Sequence, residues 1–265
     1  MARILPQAPA AKPGNTRKSA RAPPSPSTGA AMWATIAPPG SRLSTFPRMA
    51  RPPLLVLNKA HYPVTVLGHG RRVGLWLQGC SIRCRNCVSQ DTWDAARGVP
   101  TRVEEILAWC RSKVREGLDG ITISGGEPFD QPAALAALLT ALQRWRARAH
   151  LPLDFLCYSG YPLKTLEARH AAILGKLDVL IPEPYADALP QGGPWRGSAN
   201  QPLCLLTPLA KRRYANLPES LPKTMQISQE DGKLWMIGIP ARGDMAALET
   251  LCAQRGLQLD AISWR

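Results

Sequence analysis

Three cysteines fall within eight residues, Cys80-Ser81-Ile82-Arg83-Cys84-Arg85-Asn86-Cys87, directly after the apolar run Val73-Gly74-Leu75-Trp76-Leu77. A run that short and that apolar predicts a buried strand. Gly79 then turns the chain, so the three thiols belong to one compact loop at a strand's C-terminal end. A cubic iron-sulfur cluster normally takes four cysteine ligands. Three in one loop would leave one iron with an open position, and an open position is what lets a metal do chemistry as well as hold a fold. The competing arrangement is a structural zinc site completed by a distant Cys or His, drawing on Cys110, Cys157, Cys204 or Cys252. Zinc loops are usually built from two paired units, and the chain has no second pair, which favours iron-sulfur.

Composition narrows the setting. The 265 residues suffice for one sizeable domain. Seven cysteines without regular spacing do not resemble a disulfide framework, and thiolate ligands must stay reduced, so a cytoplasmic location is expected. No apolar run approaches the roughly 18 to 20 residues a membrane span needs. The net charge of +14 is unevenly placed: thirteen Lys/Arg precede Asp91, the first acidic residue, while twenty Lys/Arg and all nineteen Asp/Glu lie from there on. A nucleic-acid binder carries a basic stripe on a folded face. Here the charge belongs mainly to residues 1–53, which also hold eleven of the 26 prolines and are expected to be disordered; a transit peptide, a tail for acidic partners and a start at Met49 compete, with an inessential tail favoured, ahead of one domain over 54–265 with a small C-terminal strand-helix extension.

Within that domain strands and helices alternate. Order is expected to begin near Leu54–Leu57, and strands are expected at Pro63–Leu67, Val73–Leu77, Gly120–Ser124, Leu153–Tyr158, Leu177–Ile181 and Leu203–Leu206. Helices are expected from Thr101 to Arg115, opened by the capping pattern Thr101-Arg102-Val103-Glu104, from Asp130 as N-cap to Trp145, from Leu163 to Leu174 and from Asp244 to Arg255. Asp231-Gly232 marks a hairpin. Such alternation predicts parallel strands with helical crossovers, so the cysteine loop, the turn Gly125-Gly126-Glu127-Pro128 and the turn Ser159-Gly160-Tyr161-Pro162 all fall on one face, where sites collect. About 210 residues is short for a complete eight-unit barrel, and a partial barrel is expected. Cys110 reads as packing, Trp93 and Tyr158 more as core than as cavity wall, and Arg72 and Arg196 either as ligands for an acidic group or as solvated surface.

Cys80, Cys84 and Cys87, followed some forty residues later by Gly125-Gly126-Glu127-Pro128, resemble the radical S-adenosylmethionine (SAM) superfamily. Gly68-x-Gly70-x-Arg72, Ser124-Gly125-Gly126-Glu127-Pro128-Phe129 and Trp195-Arg196-Gly197-Ser198-Ala199-Asn200-Gln201 are similar to the activating proteins of glycyl radical enzymes, especially that of anaerobic ribonucleotide reductase. The similarity covers roughly Leu67 to Gln201. It implies an α/β fold, a partial (β/α) barrel of radical SAM type, with one 4Fe-4S cluster and SAM as cofactors. The implied metal ligands are Cys80, Cys84 and Cys87, and the implied cofactor contacts are Asn86, Val88, Gly125, Gly126, Glu127 and Ser159. No catalytic side chain is assigned. Where the superfamily commonly has an aromatic residue before the third cysteine, this chain has Asn86, which can hydrogen-bond a base edge.

In that family the fourth iron is chelated by SAM, and reduction cleaves SAM to a 5'-deoxyadenosyl radical that abstracts hydrogen. Side-chain-free Gly125 and Gly126 would admit the methionyl group, so a bulky residue at Gly126 is expected to spare iron and impair SAM binding. The implied partners are a glycyl radical enzyme as protein substrate and a flavodoxin- or ferredoxin-like electron donor, with no nucleic acid and no membrane. The alternatives are a radical SAM enzyme acting on a small molecule or peptide, of deazaguanine synthase or maturase type, and a non-catalytic metal-binding interaction protein.

Overall fold

The computed structural model describes residues 53–216, 224–230, 233–259 and 262–264. The expectations for residues 1–52 and for the turn Asp231-Gly232 lie outside them. Among the described residues nine strands and five α-helices follow in chain order: β1 (Leu55–Val64), β2 (Arg72–Leu77), β3 (Val99–Thr101), α1 (Val103–Ser112), β4 (Gly120–Gly125), α2 (Pro132–Arg148), β5 (Asp154–Tyr158), α3 (Leu163–Leu174), β6 (Val179–Ile181), β7 (Cys204–Leu205), α4 (Pro208–Arg213), β8 (Met225–Glu230), β9 (Lys233–Gly238) and α5 (Asp244–Gln254).

Seven strands form one sheet in the order β3-β1-β2-β4-β5-β6-β7. The centre, β2-β4-β5-β6, is parallel, and β1, β3 and β7 run antiparallel to their neighbours. This is the expected mixed α/β architecture. The edges β3 and β7 do not pair with each other, so the sheet is open, as a partial barrel requires. β8 and β9 make a separate antiparallel pair.

Both faces of the central strands are covered, which is why β2 reads as an unbroken apolar run and is buried throughout. On one face Val73, Leu75, Leu77, Ile121, Ile123, Phe155 and Cys157 pack against Ile106 and Cys110 of α1, Leu135, Leu138, Leu139 and Leu142 of α2, and Leu166 and Ile173 of α3. Each fully buried Leu or Ile there is worth about 1.5–3 kcal/mol. Cys110 is core, as its spacing implied, and burial pushes its thiol up to about 12. On the other face Leu156, Val179 and Ile181 meet Ala210 and Tyr214, while Val64, Leu67 and Trp76 meet Ile237 of β9.

Two caps expected from the sequence are not made. α1 begins after Arg102 with no side-chain cap, because Thr101 is paired with Leu55 in β3 and its hydroxyl donates to Val99 O, 2.9 Å away. α2 begins at Pro132 after Gln131, again uncapped. Asp130 instead ends a short 3₁₀ turn, Pro128–Asp130, and its carboxylate is used elsewhere. Among the described residues no helix is long and apolar enough to cross a membrane.

Candidate metal centre

In a parallel sheet every strand-to-helix turn at the C-terminal edge faces the same way. The cysteine loop follows β2, the Gly-Gly-Glu-Pro turn ends β4, and Ser159 follows β5. The ladder between β2 and β4 continues past both strand ends: Gly126 N donates to Leu77 O at 2.8 Å, and Glu127 N donates to Gly79 O at 2.7 Å. The loop is then pinned on its far side, where Gly79 N donates to Thr92 O and Cys80 N to Trp93 O. Gln78, buried, holds the same return segment through the carbonyls of Asp91 and Asp94.

Gly125 and Gly126 are required by this crossing of backbones. Gly125 has a φ of +102°, and a Cβ on Gly126 would lie 2.0 Å from Gly79 O. The sequence argument assigned these glycines to close approach by a ligand. In the structure the first thing they admit is the base of the cysteine loop, so a bulky residue at Gly126 would press on Gly79 O.

Glu127 is the strut between turns. It is 1% exposed. Its Oε1 accepts from Phe129 N (2.9 Å) and Ser159 Oγ (2.9 Å), and its Oε2 accepts from Gly160 N (2.6 Å). Burial raises its pKa to about 7, against the pull of those three donors. Ser159 also accepts from Tyr161 N. Both predicted residues thus spend their polar atoms on each other and on backbone, joining the β4 turn to the β5 turn.

The thiols of Cys80, Cys84 and Cys87 are free and half-buried. Burial is the main reason each is raised above the ordinary thiol range, and the charge of Glu127 adds to it for Cys80 and Cys84. Thiols held protonated in this way release their protons when a cation arrives to stabilise the thiolates. Cys87 Sγ accepts from Ser89 N at 3.4 Å, the amide donation an iron-bound sulfur uses. Among the described residues no three His, Cys, Asp or Glu side chains converge on a point that would take a single metal ion. A cubane does not ask for that, since each thiolate binds its own iron. The donor set fits such a cluster.

Asn86 sits at φ +58°, a conformation Asn tolerates better than most residues. Its amide donates to Asp187 Oδ2 at 2.8 Å, holding the cysteine loop to the segment after β6. Val88 is half-buried, and its carbonyl accepts from Ser263 Oγ at 3.0 Å. The stretch Trp195–Gln201 is knit by Gln201, which accepts from Gly197 N and Ser198 N and donates to Glu183 O. Tyr158 lies among core residues and donates to Trp195 O at 2.9 Å. Trp93 is half-buried beside Cys87. Arg196 Nη1 donates to Gln201 O.

Arg72 is not at this site. It begins β2, at the opposite edge of the sheet, and is fully buried with a two-pronged ion pair to Asp154 (3.0 and 2.8 Å). The sequence argument placed it against a ligand or in solvent. Asp130 reads locally as a helix cap, and nothing local to Gln78 or Tyr161 signals the long-range contacts they make.

Residues 66–204 match the family model described as a 4Fe-4S single cluster domain. The chain belongs to the radical SAM 4Fe-4S family. It is 32% identical over 145 residues to an anaerobic ribonucleoside-triphosphate reductase-activating protein of Vibrio cholerae, covering 53% of this chain and 92% of that one. It is 41% identical over 76 residues to a pyruvate formate-lyase-activating enzyme of Clostridium pasteurianum, covering 27% and 32% of the two chains. The crystal structure of QueE from Escherichia coli aligns with 78% of this chain and 92% of that one at 14% identity; its TM-score of 0.34 carries no argument. As a radical SAM enzyme the chain works with a 4Fe-4S cluster and SAM.

Proposed function

We propose that this radical SAM enzyme is an activating enzyme that generates a glycyl radical on a partner protein such as anaerobic ribonucleotide reductase. The observation that carries the reading is the 32% identity spread over 92% of the Vibrio cholerae activating protein. In this reading Cys80, Cys84 and Cys87 hold three irons, and the fourth is left for SAM. The chemistry that cluster and SAM supply together is one-electron cleavage of a sulfonium carbon-sulfur bond, fed by a flavodoxin- or ferredoxin-like donor.

The chain's own residues then have separable tasks. Gly79, Gly126 and Glu127 hold the cysteine loop against the β4 turn through the contacts above. Asn86, Val88, Gly125, Gly126, Glu127 and Ser159 are the residues that this reading assigns to SAM. An open sheet leaves room at its mouth for a partner's backbone, and a macromolecular substrate excludes water by covering that mouth itself.

Anaerobic reconstitution tests the reading in stages. Wild-type protein should take up about four irons per chain, Cys84→Ala should not, and reduced wild type should convert SAM to 5'-deoxyadenosine. With the cognate reductase present, a glycine-centred radical should appear by electron paramagnetic resonance. A full cluster that never cleaves SAM would overturn the enzymatic assignment of these cysteines. Cleavage that leaves the reductase radical-free would point instead to a small-molecule or peptide substrate.

A further inference from the structure

We propose that Asp130 is a positioning residue that keeps the reduction potential of the cluster low. It does so by withholding the hydrogen-bond donors of Ser81 from the sulfurs. The inference rests on the cluster assignment above and concerns a residue outside that ligand set.

Ser81 directly follows Cys80, and both its donors are captured. Its N–H donates to Asp130 Oδ2 at 2.7 Å, and its hydroxyl lies 2.9 Å from Asp130 Oδ1. Tyr161 closes the group, its OH donating to Asp130 Oδ1 at 2.8 Å and lying 3.1 Å from Ser81 Oγ. One carboxylate therefore links the cysteine loop, the end of the Gly-Gly-Glu-Pro turn and the turn after β5. The same loop does supply an amide to sulfur: Ser89 N donates to Cys87 Sγ at 3.4 Å. The Ser81 donors, next to the ligand Cys80, are directed to Asp130 instead.

The chemical consequence has a definite sign. Each N–H or O–H aimed at a cluster sulfur stabilises the more electron-rich, reduced form and raises the potential, and net charge and exposure act alongside it. Removing two donors and adding a carboxylate beside the loop both act toward a more negative potential. A strongly reducing cluster is what one-electron cleavage of a sulfonium requires. The Asp130 carboxylate is bonded to Ser81 and Tyr161, so it acts on the cluster through Ser81.

The test is a set of potentiometric titrations of reconstituted protein, followed by electron paramagnetic resonance of the reduced cluster, with iron counted in every sample. Asp130→Ala and Asp130→Asn should retain full iron and show a midpoint shifted to more positive potential, with Asp130→Glu restoring most of the shift. Ser81→Ala should leave the midpoint unmoved, because its hydroxyl is already engaged, and Ser81→Ala/Asp130→Ala should shift less than Asp130→Ala. Where Asp130→Ala fails to load iron, the near-isosteric Asp130→Asn decides. A fully loaded variant at the wild-type midpoint overturns the inference, as does a double variant that shifts as far as Asp130→Ala. Loss of iron from both single variants also overturns it, since the carboxylate would then only hold the loop together. Wild type that takes up no iron is a separate result, and it removes the cluster assignment itself.

Discussion

The two edges of the parallel sheet treat buried charge in opposite ways. At the N-terminal edge the Arg72–Asp154 pair has both side chains 0% exposed. Arg72 also donates to Thr122 Oγ1, His69 O and Ile121 O, and Arg213 and Tyr214 complete the shell of Asp154. Burial alone would raise the Asp154 carboxyl, but Arg72 and Arg213 pull it below its ordinary range. At the C-terminal edge, burial wins. Glu127 is raised to about 7 and the three thiols are raised too, with amides and hydroxyls for partners. One edge has its charge neutralised within the fold; the other, in the function proposed above, would be completed by the cluster. That difference locates the chemistry.

The largest expected effect tests the closed edge. Arg72→Met would leave Asp154 buried with half its compensation, and breaking a buried pair this way costs about 3–5 kcal/mol. Chemical denaturation of the metal-free protein should show that loss, with SAM affinity of the remaining folded protein unchanged. A stable Arg72→Met protein that binds SAM poorly would return Arg72 to the ligand role and erase the contrast between edges.

Glu127 gives the next effect, in the open edge. Its folded pKa is raised, so the folded state binds more protons than the unfolded between the ordinary 4.5 and about 7. The stability it contributes is fully present below 4.5 and is lost as pH rises through about 7. The swing is on the order of 3 kcal/mol at 1.36 kcal/mol per unit. Glu127→Gln should flatten that part of the metal-free stability profile; an unchanged slope would mean the carboxylate stays ionised on its three donors.

Gly126→Ala follows, at roughly 1–3 kcal/mol for an atom forced into packed backbone. Because the obstructing atom is Gly79 O, iron loading should fall with stability. If iron loads fully and only SAM affinity drops, the Gly-Gly-Glu-Pro turn is a ligand contact alone, as the sequence argument had it.

These cases show what was legible beforehand. Most of the strand and helix order could be read because apolar periodicity is a local property, and the cysteine loop because three thiols in eight residues leave few chemical uses; the strand expected at Pro63–Leu67 is instead the end of β1, and β3 and α4 are too short to show a period. Arg72 could not be read, since its cavity is made by Gly68 and by Gly120, 48 residues away, whose Cβ positions would lie 2.8 and 2.4 Å from its guanidinium. Thr101 and Asp130 carried correct local capping signals that tertiary partners outbid: a strand pairing with Leu55 in one case, the Ser81 amide in the other. The Glu127–Ser159 strut joins residues 32 apart, a distance at which no sequence pattern operates.

The smallest expected effect concerns an ion pair that belongs to neither pattern. Lys59 meets Asp91, just beyond the cysteine loop, at 3.3 Å with side chains 18% and 30% exposed, and its ammonium lies 5.9 Å from the Trp76 ring and 5.8 Å from the Trp235 ring. Water reaches this pair, so Lys59→Met should cost only about 0.2–1 kcal/mol, and the cost should shrink further at high salt as exposed charges are screened. Denaturation at low and high ionic strength reads both quantities. A loss as large as that of Arg72→Met, insensitive to salt, would mean that the upper edge also depends on internal charge neutralisation. The contrast between edges would then rest on burial depth alone.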